Sequence, residues 1–168
     1  MPNQTTDEKY KRLTGLWDKF HERTDAIIVL SDFQVDIRLG NDEQTKGDDA
    51  CYCRSLHTVF VNERLFGRDP EIQLALFAHE IAHAYIHIKA VPIPSCKPGR
   101  GVMVEDMWAD RLACEWGFLD GLRNDRMGHR DYGADYVKCL EKFRDLGDFT
   151  DCMCRWKLQR NMDTLSRL

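Results

Sequence analysis

The chain has 168 residues, of which 43% are hydrophobic and 31% are charged, and its formal net charge is −4. This length favours one domain with a sizeable core, and the acidic balance excludes the polycationic surface typical of nucleic-acid binding. No apolar run approaches the length of a membrane span, and the polar opening Met1–Glu8 lacks a signal-peptide pattern. We therefore expect a cytoplasmic protein with no membrane partner, and the sequence carries no strong signal for nucleic-acid binding.

Seven cysteines are spread along the chain. Without a secretory signal they favour reduced thiols or metal ligation over a disulfide framework. The pairs Cys51/Cys53 and Cys152/Cys154 are spaced more closely than the usual zinc-binding pairs, and on a helix the second pair would point about 200° apart. A second, structural zinc site is therefore not expected.

The amino-terminal part predicts one helix, one strand and one loop. Thr5 and Glu8 form a capping-box pattern, and the apolar stripe behind them predicts a helix over Thr6–Arg23. Apolar and polar residues alternate over Phe33–Leu39, which predicts a half-buried strand. The polar segment Gly40–Asp49 has turn residues at both ends and is the best candidate for a mobile or inserted loop.

Two short strands are predicted next, over Ala50–Ser55 and His57–Asn62. The second leads directly into a long helix, so it is well placed to form one wall of a cleft there. As an edge strand it would pair with an extended peptide. The alternative is that it is only the last strand of a small sheet.

The long helix is predicted over Asp69–Ala90. Asp69 can cap its first turn, a proline occupies the first helical position, and two prolines at positions 92 and 94 end it. This helix contains the sequence His79-Glu80-Ile81-Ala82-His83.

The two histidines of this motif can bind one metal ion. His79 and His83 are four residues apart, hence roughly 40° apart around a helix, and both imidazoles can reach one Zn²⁺. Glu80 lies about 100° round from His79, which suits a base for a water molecule at the metal. His87 would be a third ligand only if the helix bent, so a supporting or core histidine is favoured.

The carboxy-terminal part predicts three more helices. They cover Val102–Phe118, ending near Gly117, then Tyr132–Leu146 and Asp151–Leu168. The polar stretch Gly121–Gly133 between the first two is predicted to be broken chain.

The first of these helices carries the candidate third ligand that a zinc site with two histidines needs. Asp106 and Asp110 are four residues apart and share a helix face, whereas Glu105 lies about 140° from Asp110. If one carboxylate binds metal and the next turn supplies a carboxylate that supports a ligand histidine, the pair is Asp106 and Asp110. Glu105 stays open as the alternative third ligand.

This combination resembles a zincin metallopeptidase of the gluzincin type, in which His-Glu-x-x-His precedes a helix with a Glu-x-x-x-Asp pattern. The stretch Asp106–Ala113 is also similar to the second signature of small intracellular ImmA/IrrE-type zincins, and His79–Tyr85 resembles the SprT-like proteases. The likeness covers about Ala50–Phe118. At position 106 this chain has an aspartate in place of the usual glutamate, one methylene shorter.

The resemblance implies a role for each matching residue. Zinc ligands would be His79, His83 and Asp106, the catalytic base Glu80, and the orienting carboxylate Asp110. The donor that stabilises the oxyanion of the reaction stays open among Tyr85, His129, Tyr132 and Tyr136.

We therefore predict an α+β, zincin-like fold: a small twisted, mainly antiparallel sheet packed on the metal-binding helix and a second acidic helix, with extra helices at both termini. One domain would span residues 1–168, with a core of about 26–118 and a helical extension over 119–168. The expected function is a zinc-dependent metalloendopeptidase with one catalytic Zn²⁺ and an intracellular protein or peptide substrate, in a regulatory role that the resemblance suggests. The alternative is a non-proteolytic metal-binding protein that acts as an interaction or structural module.

Overall fold

The computed structural model describes residues 5–24, 34–93, 101–128 and 132–142, and for residues 101–103 it describes the backbone alone. The helix predicted over Asp151–Leu168 lies outside the described residues, as do His129, Cys96, Cys152 and Cys154. Within the described residues the protein is of the α+β class, with a three-stranded sheet and five α-helices.

The first helix, α1 (Thr6–Thr24), starts at the predicted capping box. The Thr5 backbone N–H donates to Glu8 Oε2 (3.0 Å), and the Glu8 N–H donates to Thr5 Oγ1 (3.4 Å). Phe20 is completely buried, and its ring meets that of Phe77 edge to face with centroids 5.6 Å apart. The predicted helix is therefore confirmed, and its apolar stripe belongs to the core.

Three strands form one mixed sheet: β1 (Asp36–Gly40), β2 (Ala50–Cys53) and β3 (Thr58–Asn62). Their order is β1-β3-β2, with β1 parallel and β2 antiparallel to β3. This corrects the expectation of a mainly antiparallel sheet. The loop after β1 carries the chain to the far side of β3, so β1 and β3 run the same way and only the β2–β3 hairpin is antiparallel.

The strand order also changes which strand is available for pairing. All five residues of β3 are buried and β3 lies between the other two strands. β2 has a partner strand on one side only within the described sheet. The edge that can face a cleft is therefore β2, and β3 is neither the edge strand nor the last strand of the sheet, the two positions that the sequence left open for it.

The loop between β1 and β2 is tied to the body of the protein. Thr45 is completely buried, and Asn62 Nδ2 donates to Thr45 Oγ1 (3.3 Å). Arg64 Nη2 donates to the carbonyl oxygens of Gly47 and Asp48, at 2.7 and 2.8 Å. The loop is thus held by residues that lie 16 or more positions further along the chain. A segment held in this way differs from the mobile or inserted loop that the sequence led us to expect.

The long helix α2 (Pro70–Ile88) is the centre of the fold. Asp69 Oδ1 accepts the Glu71 backbone N–H (2.9 Å), and proline fills the first helical position, as predicted. α2 contacts α1, β2, β3 and the next two α-helices along the chain. Phe77 and Ile81 are completely buried, so one face of α2 is core and the other remains for the site.

Two helices follow, α3 (Gly101–Ala113) and α4 (Leu119–Gly128), joined by a π-helical turn at Cys114–Phe118. Gly117 has a φ of +94° in this turn, a conformation that glycine adopts at little cost. The helix bends there, near the predicted end. The expectation of broken chain over Gly121–Gly133 is wrong, since α4 occupies most of that range.

The sequence around Gly121 explains the error. A glycine inside a polar stretch suggests a helix break, but here it allows α4 to approach α2 closely. A Cβ at position 121 would lie 2.6 Å from Ala75 Cβ and would also collide with the Glu71 carbonyl oxygen. Leu122 is completely buried and Arg126, one turn later, is 7% exposed, so one face of α4 is core.

The last described helix, α5 (Ala134–Lys142), lies within the predicted range Tyr132–Leu146 and packs on α4. It buries Tyr136 completely against the core. Across the described ranges, no helix combines the length and the apolar character needed to cross a membrane.

Candidate metal centre

Helices α2 and α3 bring three potential metal ligands together. His79 and His83 extend from successive turns of α2, and their Nε2 atoms are 3.1 Å apart. Asp106 on α3 places Oδ1 3.2 Å from His83 Nε2. One ligand atom from each residue lies within 4.8 Å of the other two. The structure thus brings together the three residues that the sequence nominates as ligands.

The spacing and chemistry of these atoms fit a zinc ion. Donor atoms placed tetrahedrally about 2.0–2.1 Å from zinc lie roughly 3.3–3.4 Å from one another. The two separations that involve His83 Nε2 are 3.1 Å and 3.2 Å, and all three donor atoms lie within 4.8 Å of one another. Two imidazole nitrogens and one carboxylate oxygen are donors that zinc favours, and three protein donors are typical of catalytic zinc sites.

A carboxylate holds the second ring nitrogen of each histidine. Asp110 Oδ1 lies 2.6 Å from His79 Nδ1, and Glu105 Oε1 lies 3.3 Å from His83 Nδ1. Because both Nδ1 atoms have partners, the Nε2 atoms are the ones that can bind a metal. Asp110 therefore lies where the sequence predicts the supporting carboxylate, and Glu105 lies on the opposite side of the His83 ring from Asp106.

Asp110 is the centre of a buried polar network. Arg126 donates to both of its carboxylate oxygens, at 2.7 and 2.9 Å, and the Tyr136 hydroxyl donates to Oδ2 at 2.6 Å. The guanidinium of Arg126 also lies over the Tyr132 ring, 4.8 Å from its centroid, and donates to Asp125 Oδ2 at 2.8 Å. These contacts satisfy a carboxylate that has no exposed surface.

Burial raises the pKa of the Asp110 carboxyl, but the positive charge of Arg126 and the interaction with His79 outweigh this effect and hold the pKa well below its ordinary value. Burial, reinforced by the Asp110 charge, raises the pKa of Tyr136 well above its ordinary value. Asp110 is therefore ionised and accepts the hydrogen bond, and Tyr136 is protonated and donates it.

Sequence reasoning missed Arg126. Phe118, Leu122 and Arg126 follow one another at four-residue steps, and this spacing could have predicted a helix face. The polar residues around them and Gly121 hide that signal. A buried arginine also requires a buried acid on another helix, which the sequence alone does not reveal.

The site favours positive charge at His83. Burial lowers the pKa of this imidazole, but hydrogen bonds with Asp106 and Glu105 outweigh the effect, and the pKa is raised to about 10. The same acids that stabilise a proton here would stabilise a metal cation. The electrostatics therefore agree with the chemistry of the donor set.

Glu80 lies beside the ligands without belonging to them. Its Oε1 is 4.0 Å from His79 Nε2, and its Oε2 accepts the backbone N–H of Tyr52 on β2 at 2.7 Å. The side chain of Glu80 keeps 15% of its surface exposed. The edge strand thus fixes the orientation of a carboxylate that remains accessible from the cleft.

The site opens into a cleft of about 820 Å³ lined by the end of the β1–β2 loop, by β2 and by α2, α3 and α4. Two of the cations in its walls are paired: Arg68 Nε donates to Asp49 Oδ2 at 2.7 Å, and Arg64 is bonded to the loop. Arg54, directly after β2, is exposed and has no hydrogen-bond or ion-pair partner among the described residues, although its charge acts on Glu105. It is available to a bound molecule.

His87 lies outside the ligand group. Its Nδ1 is 2.9 Å from the Tyr52 hydroxyl, and its ring stacks on that of His57 with centroids 5.3 Å apart. The side chain is half-buried. His87 thus contacts the strand that holds Glu80 rather than the core or a ligand histidine.

The four side chains considered as oxyanion donors are separated by the fold. Tyr132 lines the cleft. Tyr136 is buried against Asp110, and neither it nor Tyr85 lines the cleft. His129 lies outside the described residues. Tyr132 is therefore the candidate that the structure places at the cleft.

The cysteines differ in state. Cys51, Cys53 and Cys114 are free thiols. Cys139 is disulfide-bonded, which departs from the expectation of reduced cysteines. Cys51 lines the cleft, and burial together with the Glu80 charge raises its pKa to about 11. Its thiol is therefore protonated near neutral pH.

Comparisons of this chain with protein-family models, with curated proteins and with solved structures gave no match.

Proposed function

We propose that the protein is a zinc-dependent metalloendopeptidase of the zincin type, which hydrolyses peptide bonds in a protein substrate. The observation that carries this proposal is the convergence of His79 Nε2, His83 Nε2 and Asp106 Oδ1 beside the Glu80 carboxylate. The resemblance of these motifs to gluzincins supports peptidase chemistry over simple metal storage.

His79, His83 and Asp106 would hold the ion, and a carboxylate contacts the second ring nitrogen of each histidine. His79 is oriented by Asp110, and Asp106 reaches the same side of the His83 ring as His79. Glu105 reaches the other side of that ring, so Asp106 is the third ligand in this proposal. When bound, zinc would polarise the scissile carbonyl and make a water molecule more acidic.

Glu80 would accept the proton of the attacking water and deliver it to the leaving amine. The bond from the Tyr52 N–H holds Oε2, so Oε1, on the His79 side, is the oxygen left for proton transfer. This arrangement orients the base before a substrate arrives.

The edge strand β2 would receive the substrate. An extended peptide can add to a free sheet edge through its main chain, and β2 lies along the wall of the cleft. Because Tyr52 is on β2 and bonds to Glu80, a peptide lying along β2 would pass close to the catalytic carboxylate. The proposal therefore favours substrates that present an extended, unfolded segment.

The test combines metal content with cleavage on the same samples. Wild-type protein is stripped with a chelator, reloaded with zinc, and incubated with fluorescently labelled, unfolded casein. Glu80→Gln removes the base, and Asp106→Ala removes a ligand. Glu22→Gln, the same chemical change on an exposed position of α1, is the matched control.

We expect about one zinc ion in wild type and in the control, with cleavage by both. Glu80→Gln should keep the zinc and lose at least about 100-fold in rate. Asp106→Ala should lose the zinc and the activity together. Zinc binding without any cleavage would instead indicate a metal-dependent interaction module, and absence of zinc binding would reject the metal site.

A further inference from the structure

We propose that Glu105 positions His83, so that each ligand histidine has its own carboxylate on α3. This inference rests on the metal site of the proposed function. It gives Glu105 a role different from the alternative third ligand that the sequence allowed.

The positions of the two neighbouring acids on the ring carry the inference. Glu105 and Asp106 are consecutive, so their side chains leave α3 about 100° apart. Asp106 Oδ1 reaches Nε2 of His83 at 3.2 Å, whereas Glu105 Oε1 reaches Nδ1 at 3.3 Å. The two acids thus bracket one imidazole, and only Asp106 is on the side where His79 Nε2 lies 3.1 Å away.

A carboxylate at Nδ1 has a definite effect on the ring. When the ring gives up a proton to bind a metal, this carboxylate keeps the remaining proton on Nδ1, so that the lone pair is on Nε2. It also fixes the rotation of the ring about its bond to Cβ. Asp110, five residues further along α3, has this relationship with His79. Glu105 repeats it for His83.

The two supports differ in strength. Asp110 is fully buried and accepts hydrogen bonds from Arg126 and Tyr136. The side chain of Glu105 is 36% exposed, and His83 is its hydrogen-bond partner among the described residues. Glu105 therefore holds its histidine more loosely, and its loss should weaken metal binding without abolishing it.

The test uses two variants of nearly the same shape. Glu105→Gln keeps an oxygen that accepts the Nδ1–H proton, whereas Glu105→Met has similar length and no such acceptor. Zinc affinity is measured by competition with a chromophoric chelator at one pH, beside Asp106→Ala and the exposed control Glu22→Met. The absorption spectrum of the cobalt(II)-substituted protein reports the geometry around the metal.

We expect Glu105→Met to bind zinc about 10- to 100-fold more weakly than wild type. Glu105→Gln should recover most of that loss and the wild-type cobalt spectrum, while Asp106→Ala should bind more weakly than either. Rescue by glutamine is the result that a purely structural role would not give.

Three results would overturn the inference. Equal affinity of Glu105→Met and wild type would show that the ring needs no support from position 105. Loss of zinc in both Glu105 variants, with retention in Asp106→Ala, would make Glu105 the ligand. Failure of wild type to bind zinc would reject the proposed metal site and this inference with it, so the two failures are distinguishable.

Discussion

The Asp110 carboxylate lies 2.6 Å from Nδ1 of His79 and has no exposed surface. It therefore orients the histidine from inside the core, where water cannot replace it. Arg126 and Tyr136 donate to the same carboxylate from α4 and α5. The orientation of a candidate metal ligand on α2 thus depends on four helices, and this dependence can be tested apart from any activity.

Asp110 should make the stability of the metal-free protein depend on acid pH. Its folded-state pKa lies below the unfolded value of about 3.9, so its ionised form stabilises the fold above about pH 4. That stabilisation is lost as the pH falls below about 4 towards the folded-state pKa. Asp110→Asn should lower the free energy of unfolding near pH 7 by about 3–5 kcal/mol, because it removes the buried charge that pairs with Arg126 and leaves this arginine with Asp125 alone.

The measurement is urea unfolding followed by circular dichroism between pH 7 and pH 3. The difference between wild type and Asp110→Asn should be constant above about pH 5 and should shrink below about pH 4. Asp135→Asn, on the exposed side of α5, controls for the chemical change. A difference that stays constant down to pH 3 would contradict the role given to the Asp110 charge.

Arg126 should be as important to stability as Asp110. Arg126→Met removes the bidentate partner and leaves a buried carboxylate whose charge is uncompensated. We expect a loss of about 3–5 kcal/mol in the free energy of unfolding. Arg123→Met is the matched control. Arg123 on α4 pairs with Glu141 on α5 at the surface, so losing this pair should change stability far less. Equal effects of the two substitutions would rule out a special role for the buried pair.

Features that depend on local spacing could be read from the sequence. The capping box of Thr5 and Glu8 is present as predicted, and so is the Asp69 cap of α2. The four-residue step places His79 and His83 on one face of α2, because helix geometry determines it without help from the rest of the chain. The same step placed Asp106 and Asp110 on one face of α3.

Features that depend on distant partners could not be read in this way. The parallel pairing of β1 with β3 follows from the path of the intervening loop, and local alternation of residues carries no information on that path. Gly121 looks like a helix break until the close approach of α2 is known. Arg126 looks like a surface cation until Asp110 is placed beside it.

The close approach of α4 to α2 predicts a cost for any side chain at position 121. Gly121→Ala would place its Cβ 2.6 Å from Ala75 Cβ and against backbone of α2. Backbone cannot move aside as a flexible side chain can, so we expect a loss of about 1–3 kcal/mol in the free energy of unfolding. Gly128→Ala is the control, because its Cβ would meet no atom within 4 Å. Thermal unfolding of both variants measures the difference, and unchanged stability of Gly121→Ala would mean that the two helices are further apart.

The charge on Arg54 should influence which peptides the proposed enzyme cleaves. Arg54 follows β2 directly, is exposed at the cleft, and has no hydrogen-bond or ion-pair partner among the described residues, although its charge acts on Glu105. A peptide along β2 with an acidic residue near this position would gain roughly 1 kcal/mol from the attraction. Arg54→Glu should therefore lower kcat/KM for acidic peptides by about 5- to 30-fold at low salt, with little change for neutral peptides of the same length. Both the preference of wild type for acidic peptides and its loss in Arg54→Glu should weaken as ionic strength rises.

Arg12→Glu, on α1 outside the cleft, is the control for net charge. If Arg54→Glu changed kcat/KM equally for acidic and neutral peptides, the substrate would lie elsewhere.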